Sequence, residues 1–480
     1  MDYICCMIKK IVFCTAFILP FISKAQDYWD LKRCVEYAIE NNISVKQADV
    51  QARLQILQAK QTKANRIPSL AFSSNGGYQF GRSVNPSTYE FTNNTIFQQT
   101  YNLQSSITLF NWFNIKNTII SNQKNAEALE QDINRAKSDV TLNVAAAYLQ
   151  LLLSKEQVNI AKTQIDLTQQ QLDLTRKKVD AGSLPELNAA QLASQFATDS
   201  STYITNVSQM EQNKLQLFAL LNLSADARFE FGVPDAEKIP LLPISDLQPK
   251  ELYETALANQ YLQKVDSLKI EGAKYNIKAA KGAMFPTITA FAGIGSNFAD
   301  NYSTLTGVRP FMDTIGSVNV QGSNYSVTSM NGVPIYSKAP YFKQIFNLNL
   351  NQSVGLSLNV PIFNYRQLRT NYERAKENLH ALELQKEQDN LTLQQNIYTA
   401  YNNALTGIQN FSANTKAADY ASYAYSLSQK RYDIGMLTTS DFLVVQNNMY
   451  QAKIKQVASR FEYIFRLKVL EFYKNNSISL

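Results

Sequence analysis

The amino-acid sequence repeats itself, and the repeat limits what the chain can fold into. CVEYAIENN (Cys34 to Asn42) and NRIPSLAF (Asn65 to Phe72) return within LYETALANQ (Leu252 to Gln260) and GAMFPTITAF (Gly282 to Phe291), with aligned residues at an offset of 218. Ala38 aligns with Ala256, Asn41 with Asn259 and Pro68 with Pro286. Further on, TLFN (Thr108 to Asn111) aligns with PIFN (Pro361 to Asn364), Tyr148 with Tyr401, and DAGSL (Asp180 to Leu184) with DIGML (Asp433 to Leu437), now at an offset of 253. The difference of 35 residues places one insertion between Phe291 and Phe363. Constant offsets over such lengths describe a tandem duplication. Each copy is expected to run helix, strand, loop, strand, very long helix, tight turn, long helix.

Punctuation and period carry the helices. No glycine occurs between Gly81 and Gly182 and no proline between Pro86 and Pro185, so nothing interrupts a helix from about Asn114 to Asp180. At ~1.5 Å per residue such a helix is on the order of 100 Å long. Its stripe of Leu151, Val158, Ala161, Ile165, Leu172 and Val179 steps by three, four or seven; Ala404, Phe411, Ala418, Tyr425 and Tyr432 recur every seven. That spacing predicts coiled-coil packing. The remaining faces, rich in Gln, Lys, Asn and Thr, are expected to be wet.

Alternation carries the strands. Tyr101, Leu103, Ile107 and Leu109 share a parity, with Asn102, Gln104, Ser106 and Thr108 between them. Phe346, Leu348, Leu350, Val354, Leu356, Leu358, Val360 and Ile362 do the same against amide and small residues. A two-residue period of this kind suits a wall with lipid on one side and water on the other. The first strands of each pair, Leu70 to Phe80 and Ile288 to Phe298, carry weaker patterns. Four strands cannot close a barrel around an aqueous channel, because diameter grows with strand number. Several copies must therefore share one barrel.

The N-terminal stretch has Lys9 and Lys10, an apolar run from Ile11 to Ile22, and Ser23-Lys24-Ala25 before Gln26. This is the pattern of a cleaved secretory signal, and the run is shorter than the roughly 20 residues of a spanning helix. Cys5, Cys6 and Cys14 would leave with it. Only Cys34 would remain, which excludes an internal disulfide framework. The net charge of +7 over 480 residues has no basic stripe interleaved with aromatics and does not point to nucleic acid.

Taken together, Ala38 with Asn41 before Pro68, the strand ends at Phe110 and Phe363, the Ala147-Tyr148 and Ala400-Tyr401 pairs, and the turns VDAGSLPELNAAQ (Val179 to Gln191) and RYDIGMLTTSDFL (Arg431 to Leu443) resemble the TolC family of outer-membrane efflux proteins. The likeness covers nearly all of the chain beyond the signal. It implies a mostly α fold with a membrane β-barrel: tandem-duplicated helical hairpins forming a trimeric α-barrel in the periplasm, and four strands per protomer giving a 12-stranded β-barrel in the cell outer membrane. The expected division is a signal peptide at 1–25, a first repeat at 26–222, a linker in an equatorial belt at 223–250, and a second repeat at 251–480 with an outer loop insertion at 299–341. The function implied is that of a passive exit duct for small molecules in a tripartite efflux or secretion system. Its partners would be two further copies of the chain, outer-membrane lipid, a periplasmic adaptor (membrane fusion) protein and an inner-membrane pump of RND or ABC type.

The resemblance also assigns the hairpin tips. Gly182 and Gly435 stand where a long helix must reverse, which suits glycine's left-handed turn conformation. Leu184 and Leu437 beside them are expected to be exposed adaptor contacts. Asp441, its repeat counterpart Asn188, and Tyr432 map to the periplasmic mouth, where three copies of Asp441 would ring the constriction and select cations. Some relatives carry a second acid where Val444 stands and an arginine where Leu437 stands, so the mouth is expected to be less charged and differently latched.

No catalysis, cofactor or metal is expected. The one histidine, His380, lies beside Glu377 and Glu383 without metal-ligand spacing, and Gly293-Ile294-Gly295-Ser296 lacks the rest of a phosphate loop. The insertion, rich in Gly, Ser, Asn and Tyr with no clear period, is expected at the outer end of the barrel, partly over the opening. The alternative to the channel is a periplasmic helical adaptor or scaffold without a pore. It has no use for two pairs of alternating strands.

Overall fold

In the computed structural model, which describes residues 28–84, 89–227, 230–232 and 241–476, the element order runs twice with matching helix lengths. Helices α1 (Leu31–Asn41, 11 residues) and α2 (Ile43–Ala64, 22 residues) lead to strands β2 (Ser69–Val84) and β3 (Phe91–Phe110). Helix α3 (Asn114–Asp180, 67 residues) and α4 (Glu186–Leu221, 36 residues) complete the first copy. The second copy has α5 (Pro249–Asn259, 11 residues), α6 (Tyr261–Gly282, 22 residues), strands β5 (Thr287–Ala299) and β8 (Asn351–Asn359), α7 (Gln367–Asp433, 67 residues) and α8 (Thr439–Asn475, 37 residues). The short strands β1 (Tyr28–Trp29) and β4 (Glu230–Phe231) pair in parallel. The signal peptide expected at 1–25 and part of the expected linker lie outside the described residues. No described helix is long and apolar enough to cross a membrane.

Two compact units emerge. Among the described residues, one comprises those within 28–55, 125–270 and 381–476, and the other those within 56–124 and 271–380. In the helical unit the long helices bury their apolar stripes in two clusters. Tyr148, Leu149, Leu152, Leu217, Leu221 and Ile464 belong to one; Leu252, Leu393, Ile397, Ala404, Leu467 and Leu470 to the other. The Tyr148 hydroxyl, fully buried, donates to the Gly232 carbonyl at 2.6 Å and so ties α3 to the parallel β1–β4 pair. One capping device is duplicated. Asn222, which ends α4 in the left-handed conformation, donates its amide to Asn41 O at 3.4 Å; Asn476, which ends α8 the same way, donates to Asn259 O at 3.0 Å. Asparagine tolerates this backbone at helix ends.

In the other unit, the four strands form one antiparallel sheet in the order β2-β3-β5-β8. The strand ends joined to helices lie at one end of it and the loops at the other. Two expectations need correction. The alternation from Phe346 to Ile362 does not make one strand: β8 covers Asn351–Asn359, preceded by a helical turn, Tyr341–Lys343, and a π-helical stretch, Gln344–Leu348. Phe342, Phe346 and Leu350 are spaced by four as well as by two, so their pattern fits a helix as well as a strand. The insertion, expected as an outer loop with no clear period, has a regular structure. It forms a long hairpin, β6 (Ser303–Val320) with β7 (Ser323–Lys338), turning at Gln321 and Gly322, both at positive φ. Such a turn matches the twist of the flanking strands. Apolar residues on both faces, such as Val318 and Tyr325 on one and Met312 and Met330 on the other, hide the period.

Candidate functional site

The pairing register sorts the four-stranded sheet into two chemically distinct faces. Phe72 lies opposite Leu103, which lies opposite Ile294; Leu70, Ser105, Ala292 and Val354 form the next rung. On that face Val354 is 87 % and Leu356 71 % exposed, with Leu70, Phe72, Tyr78, Phe80 and Leu358 also open. The opposite face carries Ser73, Asn75, Gln98, Thr100, Asn102, Gln104, Ser106, Asn351, Ser353 and Asn359. Phe291 is the aromatic exception, seated over Gly355, where an added Cβ would come within 2.7 Å of its ring. Among the described residues β2 and β8 have a free edge each. A sheet with one open apolar face, one open amide and hydroxyl face and two unpaired edges is a segment of barrel wall.

The helical unit brings the two hairpin tips together around a cleft of about 800 Å³, lined among others by Lys178, Leu184, Leu187, Asn188, Tyr432 and Leu437. Each tip ends its long helix in the same way. Gly182 (φ +73°) donates its N–H to Val179 O at 2.8 Å and Ser183 to Lys178 O at 2.9 Å; Gly435 (φ +77°) donates to Tyr432 O at 3.0 Å and Met436 to Arg431 O at 2.8 Å. Paired bonds of this pattern around a left-handed residue form a Schellman cap.

The second helix of each hairpin starts differently. In α4 Pro185 provides no side-chain cap. In α8 the Thr438 hydroxyl oxygen accepts the Asp441 N–H at 3.1 Å and donates its own hydrogen to Asp441 Oδ2 at 2.7 Å. Asp441 is exposed in the first turn, where a carboxylate also meets the positive end of the helix dipole. Tyr432 faces inward. Its ring stacks on Phe442 with centroids 4.5 Å apart, and its hydroxyl lies 3.3 Å from Thr439 Oγ1 and 3.4 Å from Thr175 Oγ1. The cleft contains Asn188, Tyr432, Leu184, Gly435 and Leu437, but neither Asp441 nor Gly182 lines it.

Leu184 and Leu437 are half-buried rather than exposed. The open apolar residues at the tips are Ile434 (69 % exposed) and Met436 (72 %), with Leu187. Ile434 and Met436 flank Gly435, and nothing in the sequence pattern separates them from Leu184 and Leu437.

Above the tips the seam between helices is polar, against the expectation that Gln and Thr mark wet faces. Gln164, Thr168, Gln171 and Thr175 are buried on α3. Asp199, also buried, accepts from Thr168 Oγ1 (2.7 Å), Gln195 Nε2 (2.8 Å) and Gln164 Nε2 (3.3 Å). Gln195 and Asn447 exchange amide hydrogen bonds at 3.3 Å, joining α4 to α8. Gln171 donates to the Tyr425 hydroxyl at 3.3 Å, joining α3 to α7. Spacing alone cannot tell a solvated Gln from one bonded inside a seam.

Comparison with known proteins agrees with this geometry. The sequence model of the family described as outer membrane efflux protein matches residues 34–223 and 252–464. The chain is 22 % identical over 345 residues to the toxin and drug export protein A of Aggregatibacter actinomycetemcomitans, covering 71 % of this chain and 72 % of the relative. It is 19 % identical over 427 residues to the outer membrane efflux protein BepC of Brucella suis, covering 89 % and 81 %. The crystal structure of the CmeC outer membrane channel of Campylobacter jejuni superposes with a TM-score of 0.70 at 16 % identity, over 93 % of this chain and 86 % of that one. A periplasmic scaffold without a pore finds no support in these likenesses. With the wall-like sheet, the duplicated hairpins and the family match over both repeats, the chain belongs to the outer membrane efflux protein family.

Proposed function

We propose that three copies of this chain form the outer-membrane exit duct of a tripartite efflux or secretion system. Each copy contributes its four strands to a twelve-stranded barrel and its long helices to a periplasmic α-barrel. The two-faced sheet with free edges at β2 and β8 carries this reading. Membrane hydrocarbon leaves no unpaired backbone edge unpenalised, and β2 of one copy can pair with β8 of the next. The hairpin tips dock a periplasmic adaptor, with Ile434, Met436 and Leu187 as the apolar contacts beside Gly182, Leu184, Gly435 and Leu437. An inner-membrane pump of RND or ABC type supplies the energy. Three Asp441 carboxylates around the axis favour cations at the mouth, with Asn188 and Tyr432 in the adjoining cleft.

Purified protein in detergent should run as a heat-sensitive, SDS-resistant trimer and give discrete conductance steps in planar bilayers. Asp441→Asn should reduce the preference for cations while the trimer persists. A monomer without conductance would refute the duct, and unchanged selectivity in the variant would remove Asp441 from the mouth.

A further inference from the structure

The apolar face of the sheet carries a hollow at its loop end. Tyr341–Lys343 and Gln344–Leu348 fold across this face at the loop end, in place of the continuous strand that alternation predicts. The roof is fixed by polar bonds that leave its outer side apolar. Buried Gln344 accepts the Ala299 N–H at 3.1 Å and donates to Ala339 O at 2.9 Å. Ser296 Oγ donates to Ile345 O at 2.7 Å, and Asn349 Nδ2 to Asn297 O at 2.7 Å. The Tyr341 hydroxyl bonds to the Tyr101 hydroxyl and donates to Gln99 Oε1 at 2.9 Å. Between roof and sheet, Phe72, Leu103, Ile294, Phe342, Ile345 and Phe346 line an open hollow of about 410 Å³.

That volume falls in the range of small-molecule pockets, ~300–1,000 Å³, and the lining is hydrocarbon and aromatic ring. The hollow opens on the side of the sheet that carries Val354 and Leu356, not on the amide side. Its occupant therefore comes from the lipid phase rather than from the lumen, and a hydrocarbon chain seated in it makes dispersion contacts along its length. We propose that this hollow is a binding site for one acyl chain of a membrane lipid, held under the 341–348 roof. The inference rests on the sheet being a barrel wall. Because the hollow lies toward the loop end, away from the helices, the lipid belongs to the leaflet facing the cell exterior.

The test is photolabelling of the full-length trimer in phosphatidylethanolamine vesicles doped with a phospholipid carrying a diazirine on its acyl chain. Adducts are then mapped by mass spectrometry. Labelling should be several-fold denser on peptides carrying 341–350, Phe72, Leu103 and Ile294 than on the open wall around Leu356. Ile294→Trp, which fills the hollow, and Phe346→Ala, which opens its roof, should each lower pocket labelling while wall labelling stays. Uniform labelling of pocket and wall would overturn the acyl-chain site and leave the barrel wall intact. Absence of labelling on both would overturn the wall and the site together.

Discussion

Gly435 and Gly182 show how much one backbone angle carries. At φ +77° and +73° the Schellman caps place Met436 and Ser183 to donate back to the helix, and a Cβ in that region costs about 1 kcal/mol. Gly435→Ala should therefore lower stability by about that amount in denaturant unfolding, with Gly435→Asn less harmful because asparagine tolerates the left-handed region. Asp266 offers a pH-dependent case. Burial pushes its carboxyl up, the charge of Asp389 adds to this, and Lys269 and Lys386 oppose it, leaving it at about 6 against an ordinary 3.8. One of its oxygens has no hydrogen-bond partner. Since the folded value lies above the unfolded one, folding favours the protonated form. The penalty for ionisation is absent below the unfolded value and fully present above the folded one. Asp266→Asn should raise the thermal midpoint at about pH 8, and the advantage should vanish on acidification to about pH 3. A gain that does not depend on pH would assign the effect to packing.

At the scale of elements, β8 is the sharpest test, because its neighbouring residues are expected to meet different solvents. Val354, Leu356 and Leu358 stand open on one face, while Ser353, Ser357 and Asn359 stand on the other. Leu356→Arg should cost about 2 to 4 kcal/mol if the residue sits near the bilayer midplane, and should deplete SDS-resistant trimer in outer-membrane fractions. Ser357→Arg, one residue away, should assemble normally and alter conductance instead. Equal tolerance of both would remove the lipid-facing assignment. The same alternation made β3 and β8 legible in the sequence. It misled at 346–350, where the Gln344 side chain, by taking the Ala299 N–H, holds a helical roof in place of a strand.

At the scale of the whole molecule, the β6–β7 hairpin is a feature the duplication does not explain. A two-stranded ribbon is marginally stable alone in water, yet this one is long and exposes Leu305, Val308, Met312, Tyr325 and Met330. It leaves the sheet at the loop end, anchored where Asp300 donates its N–H to Phe97 O at 3.1 Å and accepts the Phe97 N–H at 3.1 Å. In the proposed trimer three such ribbons would surround the outer opening and narrow it. Replacing 303–338 with a short Gly-Ser turn should raise single-channel conductance while the SDS-resistant trimer is retained. Unchanged conductance would place the ribbons clear of the opening.

By itself the sequence determined the duplication, the 67-residue helix Asn114–Asp180 and the reversal at Gly182 and Gly435, because these rest on local rules: chain offsets, absence of helix breakers, and a glycine where φ must be positive. Only the tertiary structure decided which Gln and Thr residues line a buried seam, that Leu184 and Leu437 turn inward while Ile434 and Met436 point out, and that 341–348 folds over the sheet. Each of those depends on which surface comes to lie opposite a residue. Side-chain chemistry and spacing along one chain do not carry that information.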